Sequence, residues 1–249
     1  MLKEIVGKYQ VKALVLIVLL GFSLRLRGLD EVGFTDDEVY KLEAAHSYLR
    51  GDFLVNLEHP MLMKSLVTLS LAAADLWNHG PGQSYPISDE VAVRLPNVIF
   101  GSLTAVVIFL FTQEFFGFEA ALLGAFLWSV GTIAITVNRL AKEDTLLVFF
   151  TWLAYYFYLR AKRLSLMPTR MRAVSYAASG ASFGLMLASK YFPHYLGLNF
   201  LYYHLFRGKE PFPARRRVDT WLVFGTCAVV FVLANPVILH PGTLRHMFH

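Results

Sequence analysis

The sequence has one cysteine, Cys227, so no disulfide framework can form within the chain. Charge is scarce too. Charged residues make up 16% of the chain, well below the roughly 25% of soluble domains. The long apolar blocks carry no polar stripe, which excludes the surface helices of a soluble fold. They do not alternate, which excludes a membrane β-barrel. No repeat or low-complexity segment is present. The first apolar block follows Lys3, Lys8 and Lys12 but leads to Arg25 and Arg27, with no small-residue cleavage site. It therefore reads as a retained span, not a removable signal.

What remains is apolar. The chain is 56% hydrophobic, with a mean hydropathy of +0.49. The blocks approach the ~20 residues needed to cross ~30 Å of hydrocarbon. The expected fold is all-α: a polytopic transmembrane bundle of about seven spans. They are placed at 11–28, 91–114, 118–137, 144–160, 173–190, 191–206 and 218–239. Pro193 breaks the fifth from the sixth, because proline lacks the amide donor. One membrane domain covers 1–249: a first span within 1–28, an outer loop at 29–90, six further spans within 91–239, and an outer tail at 240–249.

The basic residues fix the orientation. Lys3, Lys8 and Lys12 place the N-terminus in the cytoplasm by the positive-inside rule. The basic loops Arg160–Arg172 and Arg207–Arg217 then fall inside only if Met61–Trp77 lies along the outer surface. The outer loop thus carries two juxtamembrane helices, about 37–50 and 60–78. The net charge of +5 follows from these loop ends and does not indicate nucleic acid.

This topology gathers Asp36, Asp37, Glu38, Glu58, His59, Lys64, Arg94, Arg139, Asp144, Lys190 and His240 on the outer face. Each has a plain structural role open to it. Asp36 or Asp37 suits a cap for a helix beginning at Glu38, and Asp144 suits another. Glu58-His59 before Pro60 suits a helix entry, and Lys64 can snorkel. Arg94 is a natural interfacial anchor. Lys190 and His240 sit at span ends. Three successive carboxylates also repel, which raises the pKa of at least one. Together, carboxylates beside cations at a bilayer surface suit activation of a hydroxyl and stabilisation of a leaving phosphate.

The segment Thr35-Asp36-Asp37-Glu38-Val39-Tyr40, followed by Glu58-His59-Pro60-Met61-Leu62-Met63-Lys64, resembles the start of protein O-mannosyltransferases. Arg94-Leu95-Pro96, Phe100-Gly101, Phe116-Gly117, Asn138-Arg139 through Asp144, and Ala188-Ser189-Lys190-Tyr191 continue the match in order. The wider group is the GT-C superfamily, which includes aminoarabinose transferases. Asp36 is an extra acid, Met61 stands for a second proline, and Met63 stands for a glycine. Relatives usually continue past the seventh span, whereas this sequence stops at His249.

The resemblance implies a glycosyltransferase. A polyprenyl-phosphate-linked sugar on the outer face would pass, with inversion, to an acceptor hydroxyl of a protein, lipid or glycan. It assigns Asp37 as the base and Glu38 as its partner acid. Asp36, Glu58, His59, Lys64, Arg94, Arg139, Asp144, Lys190 and His240 would bind substrate. The alternative is a catalytically incomplete module that binds lipid-linked sugar while a partner subunit supplies the acceptor site. No metal site and no obligatory cofactor are expected, although clustered carboxylates are compatible with a divalent cation. Sugar transfer by spheroplasts is accordingly expected to survive chelator. Complete loss, restored by a single metal, would overturn this.

Overall fold

The structure, a computed structural model, describes residues 2–80, 82–163, 169–191 and 214–243. Every regular element among them is helical. Tyr191 apart, the expected sixth span at 191–206 lies outside the described residues. So do Arg207, Lys209 and the tail beyond Thr243.

The helices are α1 (Leu2–Leu26), α2 (Asp36–Leu49), α3 (Met61–Asn78), α4 (Asp89–Val130), α5 (Thr132–Asn138), α6 (Glu143–Arg163), α7 (Thr169–Ser189) and α8 (Ala214–Ala234). A 3₁₀ turn, Pro236–Leu239, ends the series. Asp89–Val130 is the one helix among the described residues long and apolar enough by itself to cross a membrane, and Val218–Ala234 is a shorter apolar stretch.

Several boundaries differ from expectation for local reasons. The helix after Phe34 starts at Asp36, not at Glu38, because Thr35 is the cap. The Thr35 amide donates to Glu38 Oε2 at 3.0 Å, the reciprocal bond of a capping box. The stretch 118–137 is divided at Gly131, whose ψ of 118° leaves the helical region. The last helix stops at Ala234, short of 239. Pro236 disfavours a helical conformation for Asn235, which adopts φ −145°.

The chain folds as two compact units. The first comprises Met1–Asn56 and Met63–Phe149; the second comprises Leu57–Leu62 and Phe150–His249. In the first, α4 turns back on itself at Gly117, whose φ of 81° suits glycine. Ala105 and Phe109 before the turn then pack with Ala121 and Ala125 after it, and Leu14, Ile17 and Val18 of α1 close the cluster. The Phe109 and Phe118 rings meet edge-on at 5.9 Å. One long apolar segment therefore behaves as a hairpin clasped by α1, and α5 packs against both.

In the second unit α7 packs along α8. Gly180 and Gly184 lie one turn apart and let the backbones approach, as small residues do between membrane helices. A Cβ on Gly180 would sit 2.2 Å from Val223 O, and one on Gly184 would sit 2.6 Å from Cys227 O. Gly225 has nothing within 4 Å. Gly180→Ala is expected to destabilise the protein by about 1–3 kcal/mol, as overpacking does. Gly225→Ala should stay within about 1 kcal/mol of wild type. Thermal unfolding of both in detergent checks this.

Candidate functional site

The acidic turn of α2 separates into three different environments. Asp36 is exposed. Asp37 is about half exposed, and its Oδ2 lies 2.8 Å from Lys142 Nζ. Glu38 is fully buried. Helical geometry makes the difference: successive residues point about 100° apart, so only one of the three can face inward.

Glu38 meets Arg94 in a bidentate pair. Arg94 Nε donates to Oε1 at 2.8 Å and Nη2 donates to Oε2 at 2.8 Å. The Ala141 amide adds a bond to Oε1 at 3.0 Å, and Thr35 donates its amide and hydroxyl to Oε2. Arg94 uses its remaining hydrogens on main-chain carbonyls: Leu29, Val32 at 2.8 Å and Gly33 at 2.9 Å. A guanidinium has five N–H donors, and all five are engaged. The Phe34 ring lies against its face at 5.8 Å.

Burial alone would raise the Glu38 pKa. The bonds from Arg94, Thr35 and Ala141, with the charge of Arg94, outweigh it and hold the carboxyl at about 2, against 4.5 for the free group. The rise expected from crowding three acids is thus reversed at Glu38. The carboxylate is ionised and saturated, with no lone pair left for a sugar hydroxyl.

The loop between α5 and α6 docks on α2 through three consecutive residues. Ala141 bonds Glu38, Lys142 pairs with Asp37, and Glu143 Oε1 lies 3.1 Å from Lys41 Nζ. Lys41 also donates to the Asp37 carbonyl at 3.1 Å. Beneath the loop, the buried Asn97 amide donates to the carbonyls of Leu140 and Lys142. The Asn138 amide reaches Thr145 Oγ1 at 3.0 Å, and its oxygen accepts from Arg25 Nε at 3.1 Å. Arg25, fully buried, also donates to the carbonyls of Gly21, Trp128 and Ser129.

The other expected site residues divide as follows. Arg139 Nη2 donates to the carbonyls of Arg27 and Gly28, each at 2.7 Å, so Arg139 and Arg94 hold the same connection between α1 and α2. Lys64 is almost wholly buried and donates to the carbonyls of Val55 and Asn56. It anchors the approach to α3 and does not snorkel. Asp144 borders an apolar groove of about 550 Å³, with Leu127, Ile133 and Val148 among its walls. Glu58, His59, Lys190 and His240 belong to the second unit. There the exposed His240 Nδ1 accepts from the Gly242 amide. Among the described residues no group of three or more His, Cys, Asp or Glu could hold a metal ion.

Sequence reasoning did not mark Arg25, Lys41, Asn97, Asn138, Lys142 and Glu143 as site residues. Two signals were present: Lys41 follows Asp37 by four positions on a helix, and Arg25 is a charge inside an apolar run.

Residues 87–240, more than half of the chain, match the family profile described as dolichyl-phosphate-mannose-protein mannosyltransferase. The chain belongs to this family. Its fold matches a solved structure of the S. cerevisiae protein O-mannosyltransferase Pmt1-Pmt2 complex bound to the sugar donor, with a TM-score of 0.72 at 19% identity. That match covers 95% of this chain and 34% of the yeast chain, so the present sequence spans about a third of it. No curated protein matches the sequence.

Glu38→Gln leaves Arg94 buried without a counter-charge and is expected to cost about 3–5 kcal/mol. The folded pKa is depressed, so the pair stabilises fully above about pH 4.5, and that stabilisation fades as pH falls toward about 2. Thermal unfolding of wild type and Glu38→Gln across this window should show the two melting temperatures converging as pH drops.

Proposed function

We propose that the chain is a membrane glycosyltransferase module. It transfers a sugar from a polyprenyl-phosphate-linked donor to an acceptor hydroxyl on the outer face, with inversion. Asp37 carries the reading. Its carboxylate stands half exposed on the first turn of α2, and that turn is locked from below by Glu38 and Arg94. An exposed carboxylate on a fixed backbone can reach a substrate hydroxyl; a saturated one cannot.

Asp37 takes the acceptor proton as the acceptor oxygen attacks the anomeric carbon. The polyprenyl phosphate leaves from the opposite face, as one displacement requires. Glu38 and Arg94 act as positioning residues. Asp36, Asp144 and Arg139, all in the first unit, are assigned to donor and acceptor binding. In this reading the chain crosses the membrane seven times, with its N-terminus in the cytoplasm and α2 and α3 outside. Mannose is the first sugar to test, because the family description names it.

A second reading draws on the pairing named for the yeast complex: the chain works with a partner subunit that supplies the acceptor site. Purified protein offered a panel of polyprenyl-phosphate sugars should transfer one of them. Asp37→Asn should lower the rate at least ~100-fold, the smaller end of a general base's contribution. Donor binding without transfer by wild type, with transfer appearing once a partner is added, favours the second reading.

A further inference from the structure

The first unit holds its other site cations on main-chain carbonyls or buried carboxylates. Arg94 has no N–H left, Lys64 is buried on loop carbonyls, and Arg139 Nη2 grips two carbonyls. Lys142 differs. Its ammonium lies 2.8 Å from Asp37 Oδ2, with its side chain 37% exposed and that of Asp37 52% exposed. A pair this open to water is held by only about 0–1 kcal/mol, so another anion can take its place.

The backbone beneath this loosely held ammonium is anchored. The Lys142 carbonyl accepts from buried Asn97 at 2.7 Å. Ala141 before it is bonded to Glu38, and Glu143 after it is paired with buried Lys41. A fixed backbone carries a four-carbon arm that can swing without any movement of the loop. The acids around it are Asp37, Asp144 and Glu143, and each favours its charged form.

We propose that Lys142 is a catalytic residue that passes from the Asp37 carboxylate to the donor phosphate during sugar transfer. The inference rests on the function proposed above. The charges that such a reaction moves explain why one lysine can serve both anions. The acceptor O–H proton goes to Asp37, which falls from −1 to neutral. The acceptor oxygen bonds to the anomeric carbon. The bond from that carbon to the phosphate oxygen breaks, and its electron pair stays on the phosphate. A phosphodiester of charge −1 becomes a monoester approaching −2. Lys142 keeps its +1 throughout, losing a partner at Asp37 as a stronger one develops on the phosphate. Preformed positive charge aimed at developing negative charge is the arrangement that lowers a barrier.

The test compares the full chain with its Lys142→Met and Lys142→Arg variants, in detergent at pH 7.5. Binding is measured to a short-chain polyprenyl phosphate and to the corresponding polyprenyl-phosphate mannose. Lys142→Met should weaken polyprenyl phosphate binding at least ~10-fold, as loss of a charged hydrogen bond does. It should weaken the less charged donor by a smaller factor, and Lys142→Arg should restore most of the loss. Unfolding temperatures close to wild type show that the fold is kept. If wild type binds the phosphate and Lys142→Met binds it equally well, the transfer of partners is wrong while the functional reading stands. If wild type binds neither lipid, the functional reading fails and this inference fails with it.

Discussion

The first unit is organised around the bidentate bond between Glu38 and Arg94. A charge removed from water is tolerated only when fully paired and hydrogen-bonded, and each group meets that condition through the other. The consequences spread outward. Arg94 holds the connection from α1 to α2, Glu38 caps its own helix, and the Glu38 carboxylate catches the amide of Ala141. Four separate segments are registered by two side chains. Asp37, the next residue back along the helix, inherits its position from them without sharing their burial.

A second regularity is the use of cations to satisfy main-chain oxygens. Arg25, Lys64, Arg94 and Arg139 all donate to carbonyls at helix ends or in connecting loops. The last carbonyls of a helix have no partner within it. Where apolar surroundings keep water away, an unsatisfied carbonyl is costly. Arg25 illustrates this at the α4–α5 break, where Trp128 and Ser129 would otherwise lack donors. Such cations tie the connecting loops to the helix ends. Lys142 is set apart by its exposure.

Much of the architecture could be read from residues alone. Helix content followed from unbroken apolar blocks, and the turn at Gly117 followed from a glycine between two of them. The acidic turn, the Arg94 segment and the Asn138–Asp144 loop were expected to gather, and Glu38, Arg94 and Ala141 do meet. The reading went astray where a local signal had two outcomes. Three adjacent acids suggested mutual repulsion, but the helix turns one inward to an arginine 56 residues away. Lys64 looked like a snorkelling side chain, yet the loop before α3 folds over it.

The sequence by itself determined the helices, their breaks and the list of charged groups, because these depend on composition and on neighbours a few positions apart. Only the tertiary structure decided which carboxylate is saturated and which is open, and which cations hold the scaffold. Those outcomes depend on long-range partners such as Arg94, Ala141 and Lys142, whose approach to α2 is set by how α1, α4 and α5 pack. No periodicity along the chain encodes that approach.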